Sequence, residues 1–199
     1  GILPSREWKK INKDEPWYRG ETLITGIGQG FMTTSPLQLA LATAAIANKG
    51  QLLMPQVMMH SQSKNGDLFE EQNLKSNQIP IKDINNWELI IEAMKQTVYG
   101  KFGTAKRLNN KLKYSLAGKT GTAQVFGLDP EEEYIAENIE EKLRDHALFT
   151  GFAPIEDPQV AIAIIVENAG SGSSKAAPLA RELLDEYFIK NPVELNTLN

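Results

Sequence analysis

The chain has 199 residues, 41% of them hydrophobic and 23% charged, with a formal net charge of -4 and no cysteine. This length and composition suit one folded domain with a real core and exclude a disordered chain. The acidic balance removes the basic footprint of a nucleic-acid binder, and the lack of cysteine removes disulfides and thiolate sites.

Residues 1 to 30 mix Trp8, Trp17 and Tyr18 with charges, Pro and Gly in no clear period, so irregular chain is expected, with a short strand at Thr22 to Ile27. A well-marked helix follows. Ser35 is the N-cap, Pro36 sits at the first helical position and Gln38 completes a capping box. Leu37, Leu41, Ala44, Ala45 and Ala47 carry the helix to Asn48, Gly50 stops it, and its small residues predict a well-buried helix. Short strands are expected at Leu52 to Met59 and Ile79 to Ile81, with an Asn65-Gly66 hairpin signal between them. A second helix is expected from Asn86 to Tyr99, with Ile90, Met94 and Val98 on one face and Gly100 ending it.

Tyr114 to Phe126 reads as a strand. After it, Asp129-Pro130-Glu131-Glu132-Glu133 reads as a capped, acidic helix start, continuing through Tyr134, Ile135 and Ile139 to Leu143. Strands are expected at Ala147 to Ala153 and Val160 to Val166, joined by a tight reversal over Pro154 to Pro158, and a helix at Ala176 to Ile189. Residues 1 to 190 are expected to belong to one domain, with 191 to 199 a flexible tail. The fold class is an α/β (α+β) sandwich, an antiparallel sheet flanked by helices. Val160 to Val166 is apolar on both faces, so it calls for a neighbour at each edge, and further strands are expected upstream of Gly1.

The densest functional signal is Gly118-Lys119-Thr120-Gly121-Thr122. Glycine weakens a strand and often marks a close approach to the backbone; a cation and two hydroxyls make an anionic visitor the natural reading. A lone K-T-G also fits a lysine on a solvated strand. A nucleotide phosphate loop fails, because Lys113 stands where glycine is required and a strand, not a helix, follows Thr120. Gly26-Ile27-Gly28-Gln29-Gly30 misses the dinucleotide fingerprint, with Phe31 at the last glycine position. Two histidines and no clustered ligands give no metal site and no cofactor; Asp145-His146 reads as a structural hydrogen bond at a strand start. Ser61-Gln62-Ser63-Lys64 and Ser63-Lys64-Asn65 match S-x-x-K and S-x-N literally, but they overlap in a hairpin turn and read as decoys.

K-T-G is also the strand motif of penicillin-binding proteins and serine β-lactamases. Lys119-Thr120-Gly121-Thr122-Ala123-Gln124-Val125-Phe126-Gly127-Leu128 resembles that strand in the elongation-type class B enzymes, the penicillin-binding protein 2 group. Other matches run in order: Pro4-Ser5-Arg6-Glu7-Trp8-Lys9, Pro16-Trp17-Tyr18, the glycine segment 26 to 30, and Thr34-Ser35-Pro36-Leu37-Gln38 before the motif. Leu143-Arg144-Asp145-His146-Ala147-Leu148-Phe149 and Gly151-Phe152-Ala153-Pro154 follow it.

The resemblance implies a serine β-lactamase/DD-peptidase-like transpeptidase fold, incomplete in this chain, and a peptidoglycan D,D-transpeptidase acting by serine acyl transfer. It implies that Lys119 directs charge at a substrate carboxylate, that the Thr120 and Thr122 hydroxyls hold the terminal carboxylate of a D-Ala-D-Ala stem peptide or a β-lactam, and that Gly121 keeps the cleft open. The Thr122 backbone N–H is implied as an oxyanion donor. Strand alternation puts Lys119 on the face opposite Thr120 and Thr122, so all three can serve one cleft only from an edge strand. The nucleophilic serine is expected upstream of Gly1, which leaves the fragment inactive alone. The implied partners are stem peptide, β-lactams and a glycan polymerase, with the intact protein on the periplasmic face of the inner membrane. The longest apolar runs here, Leu39 to Ala47 and Val160 to Val166, are far short of the roughly 20 residues of a membrane helix, so the anchor is expected elsewhere. A non-catalytic penicillin sensor or interaction domain of the same fold is the alternative, and the division-type enzyme the near neighbour.

Overall fold

The computed structural model describes residues 1–57, 60–62, 68–70, 76–125 and 139–192. Two short helices open the chain, α1 (Arg6–Lys13) and α2 (Arg19–Gly26), where irregular chain and a strand at Thr22 to Ile27 were expected. Local capping decides this region. The Ser5 hydroxyl accepts the Trp8 N–H at 3.0 Å, and the Glu21 carboxylate reaches back to accept the Tyr18 N–H at 2.7 Å. No residue of α2 is buried, so an apolar period had nothing to reveal.

Helix α3 (Pro36–Ala47) begins as its sequence dictates: Ser35 Oγ accepts the Gln38 N–H and Gln38 Oε1 accepts the Ser35 N–H. It is less covered than its small residues predict. Thr43, Ala45 and Ala47 are buried, while Leu37 in the first turn is 57% exposed. Strand β1 (Gln51–Leu53) pairs with β4 (Ser76–Gln78), and β2 (His60–Gln62) pairs with β3 (Leu68–Glu70), both antiparallel. The expected strand at Ile79 to Ile81 therefore lies three residues earlier. Pro80 brings no ladder donor, and Pro55 follows β1 closely. The Asn65-Gly66 turn signal lies outside the described residues.

Helix α4 (Asn85–Tyr99) buries Met94 and Val98 as expected, but Ile91 takes the inward place expected of Ile90, which is exposed. The central sheet consists of β5 (Ala117–Ala123), β6 (His146–Ala153) and β7 (Val160–Val166), a meander in the order β5-β6-β7. Phe126 and the start of the acidic helix lie outside the described residues; its expected end is a 3-10 turn, Glu141–Leu143. The reversal after β6 closes with the Gln159 N–H donating to the Ala153 carbonyl at 3.0 Å. Helix α5 (Ala176–Lys190) completes the described chain, and the tail from 193 onward lies outside it. No helix among the described residues is long and apolar enough to cross a membrane.

Register assigns the two faces of the sheet. Ala117, Phe152 and Ala161 lie across one row, Lys119, Thr150 and Ala163 across the next, and Gly121, Leu148 and Ile165 across the third. This face meets Ala47 of α3 and Ile91 and Met94 of α4. The opposite face carries Thr120, Phe149 and Ile164 in one row and packs on Ala176, Ala177, Ala180 and Leu184 of α5. The result is helices, sheet, helix: the expected sandwich, with β5 and β7 as its edges among the described residues. All seven residues of β7 are half-buried, and no second neighbour pairs with it among the described residues.

Gly118, just before Lys119, and Gly151, its partner across the sheet, have a structural use that strand propensity does not suggest. A Cβ on Gly118 would sit 2.5 Å from the Phe149 ring, and one on Gly151 would sit 2.7 Å from the Ala117 carbonyl and 3.1 Å from the same ring. The two positions together seat Phe149, so Gly118 serves packing rather than ligand approach. At the start of β5, the Tyr114 hydroxyl donates to Asp185 Oδ1 at 2.9 Å, and the Leu116 N–H donates to the Tyr99 hydroxyl at 3.1 Å. Burial, and then the Asp185 carboxylate, push the Tyr114 phenol well above its usual pKa, so it remains a donor.

Phe149 is fully buried. Phe149→Ala is expected to cost about 3–5 kcal/mol of unfolding free energy, read as a lowered midpoint in urea titration.

Candidate active site

The rim of β5 borders a cleft of about 600 Å³, walled by residues 27–29 of the glycine segment, Lys119 to Ala123, and the loop Ser171 to Ser173, with Thr104 also lining it. The four residues singled out by sequence, Lys119, Thr120, Gly121 and Thr122, therefore share one concavity. The edge position that their alternation required is the one observed.

Hydrogen bonding shows which way the strand presents itself. The Thr122 carbonyl accepts the Gln29 side-chain Nε2–H at 2.7 Å, from across the cleft. In an antiparallel strand the N–H and C=O of one residue point to the same side, alternating along the chain. Thr122 and Thr120 therefore turn both backbone groups to the open rim, while Lys119, Gly121 and Ala123 turn theirs to β6. The Lys119 Nζ donates to the Thr120 carbonyl at 2.6 Å, so the long side chain curls around the rim to the side where the threonine backbones face. An ammonium and an outward N–H at Thr122 thus converge although their side chains leave opposite faces of the sheet.

The hydroxyls differ. Thr122 is exposed. Thr120 is only 9% exposed, and its hydroxyl shares a 2.7 Å hydrogen bond with that of Thr104. Thr104 was not singled out by sequence; no spacing rule links it to Lys119.

The opposite wall is held by charge. The Lys9 Nζ lies 2.5 Å from Glu21 Oε1, 3.2 Å from Glu15 Oε2 and 4.3 Å from the Tyr18 ring centroid, and the residue is 1% exposed. Desolvation works to lower the Lys9 pKa, but hydrogen bonds and charge from Glu21 and Glu15 outweigh it and raise it. The Lys9 hydrogen bond holds Glu21 below the usual carboxylate range. From the end of α2 the chain turns through Gly28 and Gly30, at φ 76° and 75°, conformations that suit glycine.

The third wall, before α5, is a run of small residues, Gly170-Ser171-Gly172-Ser173-Ser174, and that composition is the signal sequence reading passed over. Gly172 is buried, and a Cβ there would fall 2.3 Å from the carbonyls of both Gly121 and Leu148. The bare strand position thus faces a bare loop position. The Asn168 N–H donates to His146 Nδ1 at 2.9 Å, the Gly170 N–H to the Asp145 carbonyl at 2.8 Å, and the Val125 N–H to Asp145 Oδ1 at 3.4 Å. Asp145 and His146 thus make structural hydrogen bonds at the strand start. Of the literal S-x-x-K and S-x-N matches, Ser61 and Gln62 lie in β2, and Ser63, Lys64 and Asn65 lie outside the described residues.

Comparison with known proteins shows what the chain as a whole is similar to. Residues 3–185 match the penicillin binding protein transpeptidase domain model. The chain is 39% identical over 186 residues to the peptidoglycan D,D-transpeptidase MrdA of Haemophilus influenzae, covering 94% of this chain and 28% of that protein. It is 39% identical over 191 residues to the MrdA of Escherichia coli, covering 95% and 30%. It thus spans under a third of the length of these curated relatives. The crystal structure of Pseudomonas aeruginosa PBP2 in complex with WCK 5153 superposes with a TM-score of 0.77 at 38% identity, over all of this chain and 40% of that one. A complex between PBP2 and MreC from Helicobacter pylori gives 0.75 at 31% identity, over 95% and 31%.

Because the atoms facing Gly172 are backbone, Gly172→Ala has no flexible neighbour to displace. It is expected to lift the loop from β5 and lower stability by about 1–3 kcal/mol, measured by chemical denaturation.

Proposed function

This chain belongs to the penicillin-binding protein transpeptidase family and carries part of its fold, and from that premise we propose that residues 1–190 are the C-terminal part of one peptidoglycan D,D-transpeptidase domain. The intact protein cross-links stem peptides. A serine outside these residues attacks the penultimate D-Ala carbonyl and forms an ester; the terminal D-Ala leaves, and an amine of a second stem replaces the serine oxygen. The observation that carries this reading is the convergence of the Lys119 ammonium and the outward Thr122 N–H on one cleft wall.

Each residue has a part in that reaction. Lys119 attracts the substrate's terminal carboxylate, a charge-assisted contact worth about 1.5–3 kcal/mol. The Thr122 hydroxyl holds that carboxylate. The Thr120 hydroxyl contributes from within its bond to Thr104, leaving one proton of the pair to donate. Gly121 lets the peptide lie against the strand. The Thr122 N–H donates to the oxyanion of the tetrahedral intermediate, a role whose loss costs about 2.7–4 kcal/mol. β-Lactams occupy the same wall, because their carboxylate and strained carbonyl present the same two groups.

The elongation-type assignment rests on the similarity to MrdA over almost the whole chain. We place the intact protein on the periplasmic face of the inner membrane, working with a glycan polymerase. A scaffold of the MreC kind is a second partner, supported by the Helicobacter pylori complex.

Full-length protein incubated with a fluorescent penicillin is expected to form a denaturation-resistant adduct, and the 199-residue chain none. Labelling of the short chain would place the nucleophile within it and overturn the assignment. Lys119→Ala in the full-length protein is expected to slow acylation by about ten- to a hundredfold with the melting temperature retained; a near-normal rate would remove Lys119 from its role.

A further inference from the structure

Gln29 has no part in the acyl transfer just described, yet among the described residues its side chain makes the only hydrogen bonds between the glycine segment and the open rim of β5. The Nε2–H donates to the Thr122 carbonyl at 2.7 Å, and Oε1 lies 3.5 Å from the Gln124 N, at the outer limit of a bond. One amide that donates to the carbonyl of one residue and faces the N–H two residues on does what a residue of an added parallel strand would do. The carboxamide therefore stands in for the backbone of a peptide on that rim.

We propose that Gln29 is a specificity-determining residue, holding the outward Thr122 carbonyl so that a ligand whose amide N–H seeks that acceptor binds only by displacing it. The inference rests on the reading that substrates lie along the β5 rim, and deepens it. The hold is local. The Gln29 N–H donates to the Ile24 carbonyl at 3.0 Å, which ties the backbone to the end of α2. Displacement then needs only rotation of a half-buried side chain, and around Gly28 nothing stands within 4 Å of an added Cβ. A stem peptide, or a penicillin with an acylamino side chain, carries an amide N–H beside its reacting carbonyl and competes with Gln29. A β-lactam with no substituent at that carbon has nothing to offer the Thr122 carbonyl and is indifferent to it.

The test uses full-length protein with Gln29→Met, similar in length but without a donor, and Gln29→Glu, whose carboxylate cannot donate to a carbonyl. Acylation rate constants are measured for benzylpenicillin, which has the amide, and for sulbactam, which is unsubstituted there, by competition with a fluorescent penicillin. Both variants are expected to raise the benzylpenicillin rate about fivefold, the worth of one neutral hydrogen bond, and to change the sulbactam rate less than twofold. The two variants differ in polarity, so a folding defect in one leaves the other to decide. Equal changes for both ligands, a fall for benzylpenicillin, or no change would overturn the proposal, because Gln29 would then be a general support of the strand or idle. No acylation of the unsubstituted protein by either ligand would instead sink the transpeptidase reading, and the proposal with it.

Discussion

One strand margin, to which no other strand pairs among the described residues, organises the site. Strand β5 gives alternate residues' backbone groups to β6 and keeps the others, those of Thr120 and Thr122 among them, turned outward. Neither helical layer closes that rim: α3 and α4 cover one face of the sheet and α5 the other. An open margin of this kind is normally a hazard, since it offers a template to any extended chain. Here the glycine segment and the Ser171 to Ser173 loop stand on either side of it, so the hazard becomes a slot with two walls. Specific binding to such a slot follows from backbone pairing, with side chains adding selectivity.

The spacing of that slot depends on absent side chains. Gly118 and Gly151 make room for one phenylalanine ring, which fixes β5 against β6 on the α5 side. Gly172 then lets the loop touch the carbonyls of Gly121 and Leu148 directly. Close packing leaves no slack for a methyl group at these points, so the distance between loop and rim is set by backbone contact rather than by movable side chains. On the α3 side the Thr43 and Thr150 hydroxyls hydrogen-bond across the interface, and Thr150 stands opposite Lys119 in the sheet. The lysine therefore leaves a face already anchored beneath it, and only its flexible stem has to bend around the margin.

Much of this was legible in the residues. The α3 boundaries followed from Ser35, Pro36 and Gln38, because capping is a local interaction written in adjacent positions. The strands around Phe149 and Ile164 followed from apolar runs bounded by prolines. The edge position of β5 followed from a chemical demand: Lys119 and Thr122 could meet in no other place. What escaped had no periodic signal. Helix α2 buries nothing, so its apolar residues form no stripe. Thr104 meets Thr120 through tertiary folding, 16 residues apart, and Gln29 meets Thr122 across 93. The glycines of the motif were misread in part, because a strand glycine beneath an aromatic ring and one beneath a ligand look the same in one dimension.

The buried Lys9 explains why the far wall can be short of apolar packing and still hold its place. An ammonium at 1% exposure cannot be left alone, and two carboxylates with an aromatic face are brought to it from α2 and from the turn before it. A pair of this kind adds little net stability, because desolvation consumes most of the attraction, but a displaced partner is heavily penalised. It therefore selects one arrangement of α1 against α2. The Glu21 contribution requires the ionised carboxylate: its pKa is depressed in the fold, so the contact is complete above the ordinary carboxylate range and fades as pH falls through the depressed value. Because Gln29 is tied to the end of α2 through Ile24, that single arrangement also sets how far its amide reaches toward the strand. The wall that carries a movable side chain is thus built on a charge cluster that resists movement, and the difference between the two lets one side chain yield while the segment behind it stays.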